Sequence, residues 1–152
     1  EIERKFLVSD IFEKTGKDHK QIIQGFLNSD PERTVRVRIS GDEAWITVKG
    51  LGNSAGTKRF EWEKPIDPSE AMALLKICEP GIIAKTRYIV PVEDHIFEVD
   101  FFHNENEGLV VAEIELNHED ETFTRPQWLG EEVTGIKKYY NSALAKRPFK
   151  LW

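Results

Sequence analysis

Through most of this chain charged and apolar residues alternate with a period of two, and the charged ones come in pairs of one sign. Glu1 and Glu3, Arg36 and Arg38, Glu61 and Glu63, Lys85 and Arg87, Glu98 and Asp100, and Glu113 and Glu115 are all spaced i, i+2. Strand side chains alternate faces, so each pair shares one face of a strand. The opening Glu1-Ile2-Glu3-Arg4-Lys5 adds an ammonium to its two carboxylates on the same face. Like charges on one face repel unless something of opposite sign lies between them. A chain that repeats this arrangement in both signs is suited to hold metal cations and a polyanion.

The alternation predicts strands over residues 1–8, 21–28, 34–40, 43–49, 58–64, 82–90, 95–102 and 109–116, with Gly41-Asp42 turning a hairpin. Residues 51–57 hold Gly52 and Gly56, with Gly50 just before them, and read as a loop. Asp67-Pro68-Ser69-Glu70 opens a helix, with Asp67 as its cap and Pro68 at its first position. Ala71, Leu74, Leu75 and Cys78 form its apolar stripe, and Glu79-Pro80-Gly81 ends it. A last helix is expected around residues 134–145. Residues 1–152 show no repeat, linker or low-complexity tract and are expected to form a single domain of about eight antiparallel strands.

One apolar and one charged face can mean simply a sheet with a solvated side. Three features favour another reading. Solvated faces are usually mixed, whereas these positions are almost all ionised. The pairs match in sign, which is unfavourable on an open surface. Eight short strands can also close into a barrel with a polar interior and an apolar exterior covered by helices. The inward set would be Glu1, Glu3, Glu61, Glu63, Glu98, Asp100, Glu113 and Glu115 against Lys5, Arg36, Arg38, Lys49, Arg59, Lys85 and Arg87. It is nearly neutral, with the signs segregated by strand. Buried ions are costly unless paired, a condition that a watery interior with bound metals meets.

The balance of 21 basic against 27 acidic residues, net −6, argues against extended nucleic-acid or membrane-surface binding but not against a local basic pocket. The lone Cys78 cannot form an internal disulfide, which favours a reducing compartment, and a cytoplasmic location is expected. His19, His95, His103 and His118 share no face, so a zinc site is not expected. The loop over residues 51–57 lacks P-loop spacing. Trp62, Trp128 and Trp152 read as packing under helices, with a homodimer interface on the barrel wall as the alternative.

Several segments taken in order carry a resemblance: Glu1 to Lys5, Arg36-Val37-Arg38, Thr47-Val48-Lys49, Glu61-Trp62-Glu63, and Lys85-Thr86-Arg87-Tyr88. Phe97 to Asp100, Val111 to Glu115, and Gly130-Glu131-Glu132-Val133-Thr134 continue it. Over essentially the whole chain the pattern resembles the CYTH family, the triphosphate tunnel metalloenzymes, and the length resembles its short bacterial members. The resemblance implies a mainly β fold, an eight-stranded antiparallel closed β-barrel with a charged interior and flanking helices. It also implies metal-dependent hydrolysis of a linear triphosphate inside that tunnel, with inorganic tripolyphosphate and nucleoside triphosphates as substrates. Two ions of Mg2+ or Mn2+ would be bound by Glu1, Glu3, Glu113 and Glu115 together with Glu61, Glu63 and Asp100. Phosphate contacts fall to Lys5, Arg36, Arg38, Lys49, Lys85 and Arg87, with Arg59 from the inward set and Lys137 at the tunnel mouth. Catalytic roles are expected of Lys85, Glu3 and Glu63, the lysine as proton donor.

The chain departs from that pattern at Gly25-Phe26-Leu27, where short bacterial relatives often carry tyrosine at the Phe26 position. Any substrate contact made by that hydroxyl elsewhere is missing here. Adenylate cyclase and thiamine triphosphatase activities remain rivals within the family. A non-catalytic module for polyphosphate or phosphorylated metabolites is the rival from another class. That module would need the basic set without the metal carboxylates, which are all present.

Overall fold

A computed structural model describes residues 1–152. Nine strands form one antiparallel sheet: β1 (Glu3–Val8), β2 (Asp18–Asn28), β3 (Arg33–Ser40), β4 (Glu43–Gly52), β5 (Arg59–Ile66), β6 (Ile83–Val92), β7 (His95–Phe102), β8 (Val110–Glu115) and β9 (Leu129–Glu132). Their order across the sheet is β5-β4-β3-β2-β6-β7-β8-β1-β9. All eight strands that the period of two predicts are present. The ninth, β9, lies just before the segment where a last helix is expected.

The sheet corrects the expectation of a closed eight-stranded barrel. It curls, but no continuous ladder joins its two ends. The free edge of β1 is divided: β9 pairs with its second half at Phe6 and Val8, whereas its first half meets the approach to β5 through a single bridge, Ile2 to Lys58. At that seam the Glu3 amide donates to Thr57 O at 2.9 Å and the Arg59 amide donates to Glu1 O at 3.1 Å. The β4–β5 register shifts between Lys49 and Gly52, close to this seam, and β5 and β1 meet only there.

The apolar faces point outward and are covered. On one side α1 (Pro68–Leu75) lays Ala71, with Leu74 and Leu75 beside it, on Val37 and Ala44. Its first turn is fixed by a capping box: the Ser69 amide donates to Asp67 Oδ1 at 3.2 Å, and the Asp67 amide donates to Glu70 Oε1 at 3.1 Å. On the other side Phe6, Val90, Phe97, Val99, Ala112 and Ile114 are buried beneath loop residues, among them Phe12, Phe123 and Trp128. Loops thus do half of the covering that was expected of helices. Trp128 packs edge-on against Phe12 and Phe97 at 5.0 and 5.3 Å, whereas Trp62 stands exposed on β5.

The helix expected over residues 134–145 is shorter and broken. Lys137–Tyr139 forms a 3-10 turn, Tyr140 is extended, and α2 covers only Asn141–Lys146. Gly135, at φ +79°, and the extended Tyr140 interrupt helical hydrogen bonding. Leu144 of α2 is buried with Ile83, Phe102, Leu109 and Val111, closing one end of the charged interior with apolar packing. No helix is long and apolar enough to cross a membrane.

Candidate active site

Strand register gathers the paired charges around one cavity of about 700 Å³. Glu3 lies opposite Glu115 and Lys5 opposite Glu113 across β1 and β8, while Glu98 lies opposite Glu113 across β7 and β8. On the facing wall Thr47 lies opposite both Arg36 and Glu63, and Lys49 lies opposite Glu61. Of the expected site residues, Glu1, Glu3, Lys5, Arg36, Arg38, Lys49, Arg59, Glu61, Glu63, Arg87, Glu113, Glu115 and Lys137 all line the cavity.

Lys85 and Asp100 do not line it. Lys85 has no exposed surface and is flanked across the strands by Ile22 and Phe102. Its Nζ sits 2.7 Å from Asp100 Oδ2 and donates to Asn141 Oδ1 at 3.4 Å. Burial pulls the Lys85 ammonium down to about 7, against the attraction of Asp100. Asp100 in turn accepts both Arg87 Nε and Nη2, at 2.7 and 2.8 Å. Burial works to raise the Asp100 carboxyl, but Arg87 and Lys85 hold it below its usual range. This buried trio stands behind the wall and aims Arg87 at the cavity.

The cavity has two electrostatic sides. On the basic side Arg36 donates to Thr47 Oγ1 at 3.2 Å and lies 3.6 Å from Glu63. Its Nε is buried without a partner. Arg38 has no carboxylate partner. Its Nε donates to Gln24 Oε1 at 3.0 Å, and the Gln24 amide nitrogen is itself buried and unpaired. Burial, then the neighbouring Arg36 and Arg87, lower Arg38 to about 9. Groups left this way cost free energy unless an anion completes them.

On the acidic side the surplus has the opposite sign. Glu3 forms no ion pair, and burial followed by repulsion from Glu113 and Glu1 pushes its carboxyl up to about 8. Glu1 is raised by burial and by sharing a hydrogen bond with Glu61, although Lys49 Nζ donates to it at 2.9 Å. Glu115 is raised by burial and by Glu1 and Glu98. Glu113 differs: burial would raise it, but Lys5 at 3.7 Å and Arg87 at 3.6 Å hold it well below the carboxylate range.

No three carboxylates or imidazoles come close enough to make a ready-made metal cage. Glu3 and Glu115 do offer hard oxygen donors short of positive charge, which suits a divalent cation. Mg2+ in particular is held by one or two carboxylates, its own waters and the oxygens of a bound phosphate.

Sequence reasoning missed four contributors. Thr47 donates to Glu63 Oε2 at 2.7 Å while accepting from Arg36, and Gln24 orients Arg38. Tyr140 and Lys146 enter the lining from the segment around α2. Thr47 and Gln24 stand in the same alternation as the charges, and their inward parity was the available signal. Phe26 lines the cavity on β2 opposite Arg36.

The CYTH domain family matches residues 1–146. The chain is 44% identical over 151 residues to a protein named inorganic triphosphatase from Acetivibrio thermocellus, covering 99% of this chain and 96% of the relative. It is 37% identical over 150 residues to another of that name from Nitrosomonas europaea, covering 95% and 96%. A crystal structure of an inorganic triphosphatase superposes with a TM-score of 0.67 at 35% identity, covering 95% of this chain and 97% of that one. With the match running from the first strand into the last helix, the chain belongs to the CYTH domain family.

Proposed function

We propose that this protein is a metal-dependent phosphoanhydride hydrolase that cleaves a linear triphosphate, with inorganic tripolyphosphate as its principal substrate. The observation that carries the reading is the division of one cavity into an anion-hungry wall around Arg36 and Arg38 and a cation-hungry wall around Glu3 and Glu115. A polyphosphate alone would satisfy the first wall and be repelled by the second. A metal-bound polyphosphate satisfies both. The names of the relatives at 44% and 37% identity support the same reaction class.

Arg36, Arg38 and Arg87 offer guanidinium forks to phosphate oxygens, and Lys5 and Lys49 add point charges. Glu1, Glu3, Glu61 and Glu115 would hold Mg2+ or Mn2+, two ions in all, with Glu63 and Glu113 tied to Arg36 and to Lys5 and Arg87. A divalent ion held there would supply a water of lowered pKa and neutralise phosphate charge. The basic wall stabilises negative charge as it moves to the leaving phosphate. Lys5 lines the cavity and is kept charged by Glu113 and Glu3 against its burial, which suits it to neutralise phosphate charge rather than to release a proton.

The seam at Ile2 and Lys58 is the place where the sheet would close into a tunnel around bound substrate. The whole chain acts as one domain in a reducing, cytoplasmic setting, as the lone Cys78 suggests. Exposed Phe60 and Trp62 on β5 are the surface through which a homodimer would form.

The deciding experiment compares phosphate release from tripolyphosphate, ATP and thiamine triphosphate with Mg2+, Mn2+ and EDTA, for the native chain and Glu3→Gln. Metal-dependent release, fastest on tripolyphosphate and lost in the variant, is expected. Preference for thiamine triphosphate, or formation of a cyclic nucleotide from ATP, would reassign the substrate. Metal-independent binding without any turnover would overturn the hydrolase reading.

A further inference from the structure

Residues 133–152 contain five basic residues, Lys137, Lys138, Lys146, Arg147 and Lys150, and none of the chain's 27 acidic ones. In a chain of net charge −6 this is a local reversal of sign. All five side chains are exposed, and none forms an ion pair. Lys137 and Lys146 line the cavity.

The next two are held around Trp152. Lys138 Nζ lies 4.3 Å from the centre of its ring, its indole N–H donates to the backbone O of Arg147 at 3.3 Å, and Arg147 Nη2 donates to Leu151 O at 3.1 Å. The indole is braced edge-on by Tyr139 and Phe149 at 5.1 and 5.0 Å. The segment is seated firmly on the body of the protein. Leu144 is buried, Phe149 N donates to Asn106 Oδ1 at 2.8 Å, and a Cβ on Gly81 would collide with Ala145 O. The Lys138 and Arg147 side chains, and the backbone that carries the other charges, are therefore held in place beside the cavity.

We propose that Lys138 and Arg147, continuous with Lys137 and Lys146, form an electrostatic collar that captures small polyanions and steers them into the cavity. This rests on the triphosphate reading and adds the route of entry to it. The collar touches no reacting atom. It acts on encounter, raising the local concentration of a highly charged anion that the rest of a negatively charged surface repels. Its ligand class is a free linear polyphosphate, alone or with its metal. Such steering acts on association, weakens with ionic strength, and leaves the chemical step untouched.

The test uses the charge-neutral double variant Lys138→Gln/Arg147→Gln, the charge-keeping Lys138→Arg/Arg147→Lys, and Lys64→Gln as a control on the outer face of β5, outside the cavity lining. Affinity for tripolyphosphate in EDTA is measured by calorimetry over a salt series, and kcat and KM are measured with Mg2+. The neutral variant should weaken binding and raise KM by roughly 3- to 10-fold at low salt with kcat unchanged, a difference that vanishes near 0.5 M salt. The charge-keeping variant and the control should match the native chain. Native affinity and salt slope in the neutral variant would overturn the collar. So would a fall in kcat, or a failure of the charge-keeping variant to match the native chain, because each assigns these residues a structural role. Failure of the native chain to release phosphate at all is a separate result that strikes the hydrolase reading instead.

Discussion

The Asp100 carboxylate grips the Arg87 guanidinium at two points, Oδ1 to Nε at 2.7 Å and Oδ2 to Nη2 at 2.8 Å, with both side chains almost wholly buried. Oδ2 also takes Lys85 Nζ at 2.7 Å, so one carboxylate neutralises two buried cations. Asp100→Asn would leave both short of a counter-charge. Removing one partner of a buried ion pair costs about 3–5 kcal/mol. Urea unfolding of the metal-free variant should show a loss of that order, partly restored by tripolyphosphate. Metal affinity should change little, since Asp100 lies behind the cavity wall. A large loss of metal affinity with unchanged stability would instead make it a metal ligand.

Arg38 should behave in the opposite way. It is held in the wall without a carboxylate partner, and burial already disfavours its charge. Arg38→Gln should therefore leave the free protein as stable as before, or slightly more so. The lost charge-assisted hydrogen bonds, about 1.5–3 kcal/mol, should raise KM for tripolyphosphate roughly 10- to 100-fold. Thermal melts with and without ligand read both effects, because the ligand-induced rise in Tm should shrink while the free Tm holds.

Glu3 sets a pH dependence whose sign is fixed by its direction of shift. Its folded carboxyl is pushed up to about 8 from an ordinary 4.5. Between those values the folded state holds a proton that the unfolded state has released, so stability falls as pH rises through the window. Without metal, the native chain should lose stability relative to Glu3→Gln between about pH 4.5 and 8. Saturating Mg2+ should remove the difference and release about one proton per site near pH 7, read from calorimetry in buffers of different ionisation heat. Parallel stability curves for the two proteins would refute this assignment.

The seam depends on two glycines in contact. A Cβ on Gly56, which has φ +75°, would lie 2.5 Å from Gly135 Cα, and one on Gly135 would lie 2.8 Å from Ala55 O. Gly56→Ala should force the loop before β5 away from the segment after β9. Hydrogen exchange at the Glu3 and Arg59 amides, which donate across the seam, should rise selectively while amides of β7 and β8 stay protected. Unchanged exchange at both seam amides would show that the loop yields elsewhere.

How much of this was legible in the sequence follows from what a period of two encodes. Parity tells which face a side chain occupies, and it placed the Glu1, Arg36, Glu61 and Glu113 pairs on the inner face correctly. It says nothing about depth along that face, which depends on register with strands far away in the chain. Lys85 and Arg87 have the same parity, yet Lys85 falls between Ile22 and Phe102 and is sealed off, while Arg87 falls opposite Asp100 at the cavity. Local signals likewise gave α1 its start at Pro68 after the Asp67 cap. They could not give β9, four residues long and paired only with β1, nor the break at Tyr140. Edge pairing is decided by what the rest of the sheet leaves open.

The placement of β1 carries a consequence for how the molecule comes to exist. Its neighbours, β8 and β9, lie on the order of a hundred residues further along the chain. On a ribosome, the strand bearing Glu3 and Lys5 therefore emerges well before its partners and must wait for them. Its backbone edges and crowded charges stay open to solvent while the β2–β4 meander can already pair. Loop-closure entropy makes such late, distant pairing slow, and the half-made sheet is exposed to other chains meanwhile. The pocket for triphosphate cannot be complete until β8 and β9 have been made and β1 has paired with them, so nascent molecules cannot turn over substrate before then.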